Sequence, residues 1–277
     1  MADPVFGLLL PVGFAIFVWW FSTGLVMLLD GLPHTTFRWS HFVSSLLALG
    51  AFAGLHHTAG QATATGAFCA FTCALLVWGW HELSFLTGWI TGPRQRAVET
   101  GAKGWPRFVQ ATQAILWHEL AILASGVAIA VLTWREPNQV GMATFAVLWV
   151  MRISAKLNVF LGVRNLSAEL LPAHLVYLAS YFRRRRMNAL FPLSVIGATA
   201  VATLLIVDAL AGAPGSARSV GGLLVSTLLA LAILEHWLLV LPFKANALWG
   251  WALRARGDSA PTLPARLETD DQLLHAR

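Results

Sequence analysis

The stretch ATGAFCAFTCALLVWGWHELSFLTGW, residues 64–89, decides the fold class. It is apolar for longer than the roughly 20 residues a helix needs to cross a bilayer. It lacks the strict apolar–polar alternation of a barrel strand. Near its end it carries Trp80-His81-Glu82, an ionisable pair set among aromatic residues. The whole chain extends the pattern. Of its 277 residues 57% are hydrophobic and only 12% charged, and the mean hydropathy is +0.66. A soluble domain carries about 25% charged residues. Composition therefore excludes an ordinary soluble globule, a disordered chain and a disulfide scaffold, and leaves an all-α polytopic membrane bundle.

Working outward from 64–89, six further apolar runs predict seven spans in all, at about 5–29, 41–57, 64–89, 109–133, 139–161, 189–211 and 220–241. The first run is too long for the apolar region of a signal peptide and follows no basic segment, so it reads as an uncleaved membrane helix. Cys69 and Cys73 are four apart inside the third span and read as packing thiols. The seven spans with their loops make one domain, 1–252, and 253–277 reads as a polar, partly disordered tail containing Pro261 and Pro264.

Charge tests the span count. The formal net charge is +6, and it reads as the topogenic charge of cytoplasmic loops rather than as nucleic-acid binding. On one side of a seven-span topology lie only Arg135 and Arg218. On the other lie Arg38, Arg94, Arg96, Lys103, Arg107, Arg164, Arg183, Arg184, Arg185, Arg186, Lys244, Arg254, Arg256, Arg266 and Arg277. The positive-inside rule then sets the N-terminus outside and the C-terminus in the cytoplasm. Within the cytoplasmic segment 162–188, Leu170, Leu171, His174, Leu175, Leu178 and Tyr181 recur at helical spacing. Ser167 stands where a cap would, and Arg183 to Arg186 follow. This predicts an interfacial amphipathic helix with a polybasic end on anionic headgroups, or a docking surface for an acidic partner.

The chemistry-bearing residues lie inside the spans. They are His81 and Glu82, His118 and Glu119, Arg152, Lys156 and Asn158, and Glu235 and His236. At 1.5 Å per residue, His81, His118, Lys156 and His236 fall in one layer, roughly 4–9 Å to the cytoplasmic side of the bilayer centre. A charge at mid-helix costs about 2.5–3.5 kcal/mol, so these groups must face inward and pair. Three carboxylates against two cations leave one positive charge wanting. Three readings stand: a network that fixes helix packing, histidine ligation of the magnesium of a tetrapyrrole, or a non-haem metal centre on His81, His118 and His236. The spacing matches neither Glu-x-x-His nor His-x-x-x-His, and no phosphate loop, nucleophile elbow or Cys-x-x-Cys is present.

The stretches FVWWFSTGLVMLLDGLP (17–33), FTCALLVWGWHELSFLTG (71–88), LWVMRISAKLNVFLGVRNL (148–166), YFRRRRMNALFPLSV (181–195) and EHWLLVLP (235–242) carry a resemblance. Together they resemble the photosynthetic complex assembly protein 2 family, also called PuhE, from the first span to about Trp251. The resemblance implies an inner-membrane protein of anoxygenic phototrophic bacteria, in the cytoplasmic or intracytoplasmic membrane. It further implies a gene beside that of the reaction-centre H subunit. The implied role is support of reaction-centre and light-harvesting assembly, with an influence on bacteriochlorophyll supply. It implies no catalytic residue. The expected function is a non-enzymatic assembly factor that handles bacteriochlorophyll or a precursor. Its expected partners are reaction-centre and light-harvesting subunits or other assembly factors, and anionic lipids, with no nucleic acid. The alternatives are a membrane metalloenzyme with a non-haem metal acting on a tetrapyrrole or other lipophile, and a transporter or proton relay.

Overall fold

The computed structural model describes residues 4–241 and 248–253. Among them the regular structure is helical: α1 (Pro4–Asp30), α2 (Phe37–Ala59), α3 (Ala64–Leu86), α4 (Gly104–Leu132), α5 (Val140–Leu161), α6 (Leu190–Ala211), α7 (Ala217–Leu238) and the short α8 (Gly250–Leu253). Seven of these are long and apolar enough to cross a membrane, in the places the apolar runs predict. Most of the tail expected over 253–277 lies outside the described residues.

Local chemistry sets several helix ends. The Thr63 hydroxyl accepts the Gly66 amide at the start of α3, and Ser216 does the same for Ser219 in α7. Asn188 Oδ1 accepts the amides of Leu190 and Phe191 at the start of α6. Such side-chain acceptors satisfy helix donors that have no partner within the helix. Gly162, at φ +125°, ends α5 in a conformation that favours glycine.

The two helices that bury most are α3 and α7, with 56% and 50% of their apolar windows inside the protein, against 11–28% for the other five. They form the centre. α3 packs on α1, α2, α5 and α7, and α7 packs on α1, α3, α5 and α6. Leu193, Leu204 and Ile196 of α6, at 68–70% exposure, mark a lipid-facing side. Small residues let backbones approach, as membrane packing requires: Gly222 meets Ala209, and Gly141 meets Leu55 and Ala70. Cys69 and Cys73 are free thiols with their sulfurs 4.0 Å apart. Asp208 forms an ion pair with Arg218 across the α6–α7 turn.

The amphipathic helix expected at 162–188 is corrected. The segment forms two 3-10 stretches, Ala168–Leu170 and Ala173–Tyr181, with no α-helix. Ser167 takes a left-handed φ of +48° and makes no cap bond with its side chain. The apolar residues face protein instead of lipid: Leu175, Leu178 and Tyr181 are buried against Phe85 and Ala114. The leucine spacing that read as an amphipathic helix serves this inward packing. The segment is stitched down by backbone bonds. Val163 donates to Arg183 and accepts from Arg185, and Asn165 donates to the carbonyls of Leu238 and Leu241.

The 87–103 segment folds back in the same region. Ile90 donates to Ser84, and the Thr91 carbonyl accepts the His118 amide at 2.9 Å. Buried Arg94 donates from Nε to the Tyr181 hydroxyl (2.9 Å), which in turn donates to the Arg96 carbonyl (3.0 Å). Tyr181 thus locks the two loops together. Tyr181→Phe is expected to cost about 1–3 kcal/mol, because it leaves the buried Arg94 Nε–H without its acceptor and the Arg96 carbonyl without this donor, while Nη2 keeps Ala97 and Glu99. Thermal melting in detergent reads this. An unchanged melting temperature shows that the loops are held elsewhere.

Candidate functional site

The ionisable residues of the spans come together as two cross-helix ion pairs, both anchored on α5. Arg152 and Lys156 lie one turn apart. Arg152 reaches α3 and donates to Glu82 at 2.7 Å. Lys156 reaches α4 and donates to Glu119 at 2.5 Å, with its ammonium 5.7 Å from the centre of the Phe85 ring. The third carboxylate, Glu235 of α7, accepts from the indole nitrogen of Trp19 on α1 at 3.1 Å. A neutral donor on α1 therefore meets the carboxylate left over after pairing.

Adjacent His and Glu diverge by about 100° around a helix, and the structure uses both directions. Where the glutamate turns to α5, the histidine turns into a helix–helix contact. His81 Nε2 lies 2.9 Å from Ser125 Oγ of α4. His118 packs its ring 4.5 Å from Phe85 and 6.4 Å from His81. Both of its ring nitrogens are buried without a hydrogen-bond partner. His236 holds Ser154 Oγ through Nε2 (2.9 Å) and lies 2.8 Å from the Ala232 carbonyl through Nδ1.

Asn158 joins a second network on the far side of α5. Its Oδ1 accepts from Asn188 at 3.0 Å, and its amide donates to the Ser154 carbonyl at 2.9 Å. Ser154 donates to Ser194 at 2.9 Å. Ser154, Ser194, Asn188, Ser125 and Trp19 belong to the layer, but serines and a tryptophan in apolar runs give no sequence signal of their partners. Asn188 did have one, since Asn at the head of an apolar run is a preferred capping residue that accepts the amides two and three residues on.

The trio His81, His118 and His236 is corrected as a metal centre. His236 pairs with Ser154, away from the His81–His118 contact, and among the described residues no group of three or more His, Cys, Asp or Glu is placed to hold a metal. The donor set does not fit the non-haem centre considered from the sequence.

Beside this layer opens a cavity of about 1350 Å³ between α1, α3, α5 and α7, reaching the 162–188 segment. It exceeds the roughly 300–1,000 Å³ of ordinary small-molecule sites. Its wall is aromatic and aliphatic, with Trp19, Trp78, Phe85, Phe160, Phe182 and Trp249 among the lining residues. Glu82, Arg152, Lys156 and Glu235 line it too, whereas His81, His118 and His236 stand behind the wall. Of the basic run, Arg184 and Arg186 line the cavity and Arg183 and Arg185 do not. Trp249 is held in place by its indole bond to the Trp20 carbonyl (3.1 Å). α8 packs Trp251 against Gly24 of α1.

Residues 5–260 match a family model described as "Protein of unknown function (DUF3623)". The chain belongs to the DUF3623 family. It is 39% identical over 252 residues to an uncharacterized 30.4 kDa protein in the puhA 5′ region of Rhodobacter capsulatus, which covers 90% of this chain and 92% of that relative. No solved structure matches. For this DUF3623 chain the two ion pairs and the cavity wall both fall within the matched residues.

Proposed function

We propose that this chain is a non-enzymatic assembly factor that holds bacteriochlorophyll or a precursor in the bilayer while reaction-centre and light-harvesting complexes are built. The observation that carries it is the cavity: about 1350 Å³, apolar and aromatic walled, and set among membrane-spanning helices. A free tetrapyrrole is flat, hydrophobic and photoreactive. Trp19, Trp78, Phe85 and Trp249 offer it ring contacts. The paired cations and Glu235 offer polar contacts for its rim. The relative encoded in the puhA 5′ region supports a photosynthetic role. The three histidines stand behind the wall, so in this reading they set helix packing and do not ligate the pigment's magnesium. The N-terminus lies outside and the loop-rich end faces the cytoplasm of the inner membrane, where partner subunits and anionic lipids meet Arg183 and Arg185.

Gly79 gives a clean test. It lines the cavity, and a β-carbon added there meets nothing within 4 Å, so a larger side chain has room to enter. Gly79→Phe is expected to fill the space without disturbing the fold. Protein purified from a phototrophic host in mild detergent is expected to show a bacteriochlorin absorption band, and the variant to lose at least about 90% of it at an unchanged melting temperature. Wild-type protein without a band, or a variant that keeps it, overturns the reading.

A further inference from the structure

The oxygen donors on the cavity wall differ in what they have left to offer. Glu82 gives one oxygen to Arg152, and its other oxygen is buried. The Tyr181 hydroxyl is held between Arg94 and the Arg96 carbonyl. The Ser22 hydroxyl donates to the Trp19 carbonyl. Glu235 is another case. It is exposed, and it lines the cavity. Its Oε1 accepts from the Trp19 indole at 3.1 Å, and among the described residues Oε2 has no partner. A free carboxylate oxygen near the end of a membrane-spanning helix is unfavourable unless something uses it.

Two features prepare that oxygen. The indole bond fixes one side of the carboxylate and so directs the other, as outer-shell donors orient metal-binding carboxylates. Arg152 lines the same wall within electrostatic reach of Glu235, so the negative charge is opposed without a direct bond. Trp249 meets Trp19 edge to face with ring centres 5.6 Å apart, and both rings line the cavity. A carboxylate oxygen beside aromatic rings suits a flat apolar body with a hard metal at its centre. We infer that Glu235 is the axial ligand, through Oε2, of the chelated magnesium of a tetrapyrrole held in the cavity, with Trp19 as its positioning residue. Magnesium prefers oxygen donors. A macrocycle that already fills the equatorial positions needs one protein donor, not the cluster of three or more that is absent among the described residues. The inference deepens the proposed function and rests on it. Of the polar groups that reading offers a pigment, Arg152 and Lys156 keep the rim and Glu235 takes the metal. His81, His118 and His236 are bypassed, since each is 1% exposed and none lines the wall. The favoured pigment is then the metallated form, which places the protein after a metal-insertion step.

Titration of the detergent-solubilised protein with zinc pheophorbide a methyl ester and with the metal-free ester, read by quenching of tryptophan fluorescence, isolates the metal. Zinc stands in for magnesium as a stable centre that accepts oxygen ligands. The zinc form is expected to bind on the order of tenfold more tightly, with its Soret band to the red of its position in empty micelles. Glu235→Gln keeps an acceptor for the Trp19 indole. It should bring the two forms within about threefold and cancel the band shift at an unchanged melting temperature. Glu136 is an exposed carboxylate off the cavity wall, and Glu136→Gln should keep the full difference. Equal binding of both forms by the wild type, or a preference that survives in Glu235→Gln, overturns the ligand and leaves the pigment reading standing. If neither form quenches, the pigment reading falls and the inference falls with it. Should Glu235→Gln fail to fold, the wild-type spectrum decides: a zinc form that binds without a band shift overturns the ligation.

Discussion

Lys156→Met is expected to destabilise the protein by about 3 kcal/mol, whereas Lys156→Met combined with Glu119→Gln loses no more than about 1 kcal/mol. The reason is asymmetry. The Lys156 ammonium and the Glu119 carboxylate meet at 2.5 Å with side-chain exposures of 24% and 23%. Their remaining surroundings are Phe85, His118 and the apolar wall. Taking away the cation alone leaves a three-quarters buried carboxylate without its charge partner. Taking away both charges leaves two neutral side chains of similar length. The same logic holds for Arg152 and Glu82, but there Arg152 is 41% exposed and the effect should be smaller. Thermal melting in detergent, with the two single variants and the double variant as a cycle, measures the coupling. A Lys156→Met protein that melts with the wild type would show that the contact carries no ionic stabilisation.

This pairing shows how much of the site was legible in advance. That Arg152 and Lys156 share a face of one helix follows from their spacing. That three carboxylates must meet them follows from the cost of burying charge. Which carboxylate meets which cation does not follow, because it depends on the rotation of each helix about its axis, and that is set by small contacts such as Gly141 against Ala70. The surplus carboxylate was foreseen as a deficit of one positive charge, but an indole met it. Indole donors are invisible to charge counting. The loop 162–188 failed for a different reason. Its leucines recur at helical spacing, yet a 3-10 stretch also returns side chains to one face every three residues, so periodicity over nine residues does not separate the two. Pro172 and the left-handed Ser167 then break the segment where a longer helix would have run through. The cavity could not be read at all, since it is the space left between elements whose separations the sequence does not print.

Gly92→Ala is expected to be the most damaging small substitution in the chain, at roughly 3–5 kcal/mol. Gly92 is buried where the 87–103 segment presses on α4. A methyl group there would fall onto the Gln113 carbonyl and lie 2.5 and 2.6 Å from the carbonyl carbon and oxygen of Ala114. All three are backbone atoms of a helix, so nothing can swing aside. The segment has to withdraw, and with it goes the Thr91 carbonyl that accepts the His118 amide. Gly141 makes a useful contrast. A methyl there would meet the terminal methyl of Leu55, which can rotate, and the Ala70 carbonyl at 3.3 Å, so Gly141→Ala should cost about 1 kcal/mol. Gly79→Ala, with open space around it, should be neutral or stabilising by up to about 1 kcal/mol. Melting temperatures rank the three, and amide exchange at His118 identifies the cause, since it should quicken in Gly92→Ala alone. Exchange that stays slow would mean the loop has moved without releasing Thr91. Because His118 and Glu119 are neighbours on α4, loosening the loop also frees the helix turn that holds the Glu119–Lys156 pair. The polar layer and the cavity wall should therefore fail together with this loop, and, if the protein holds a pigment as proposed, its retention should fall in Gly92→Ala although the substituted residue is not part of the wall.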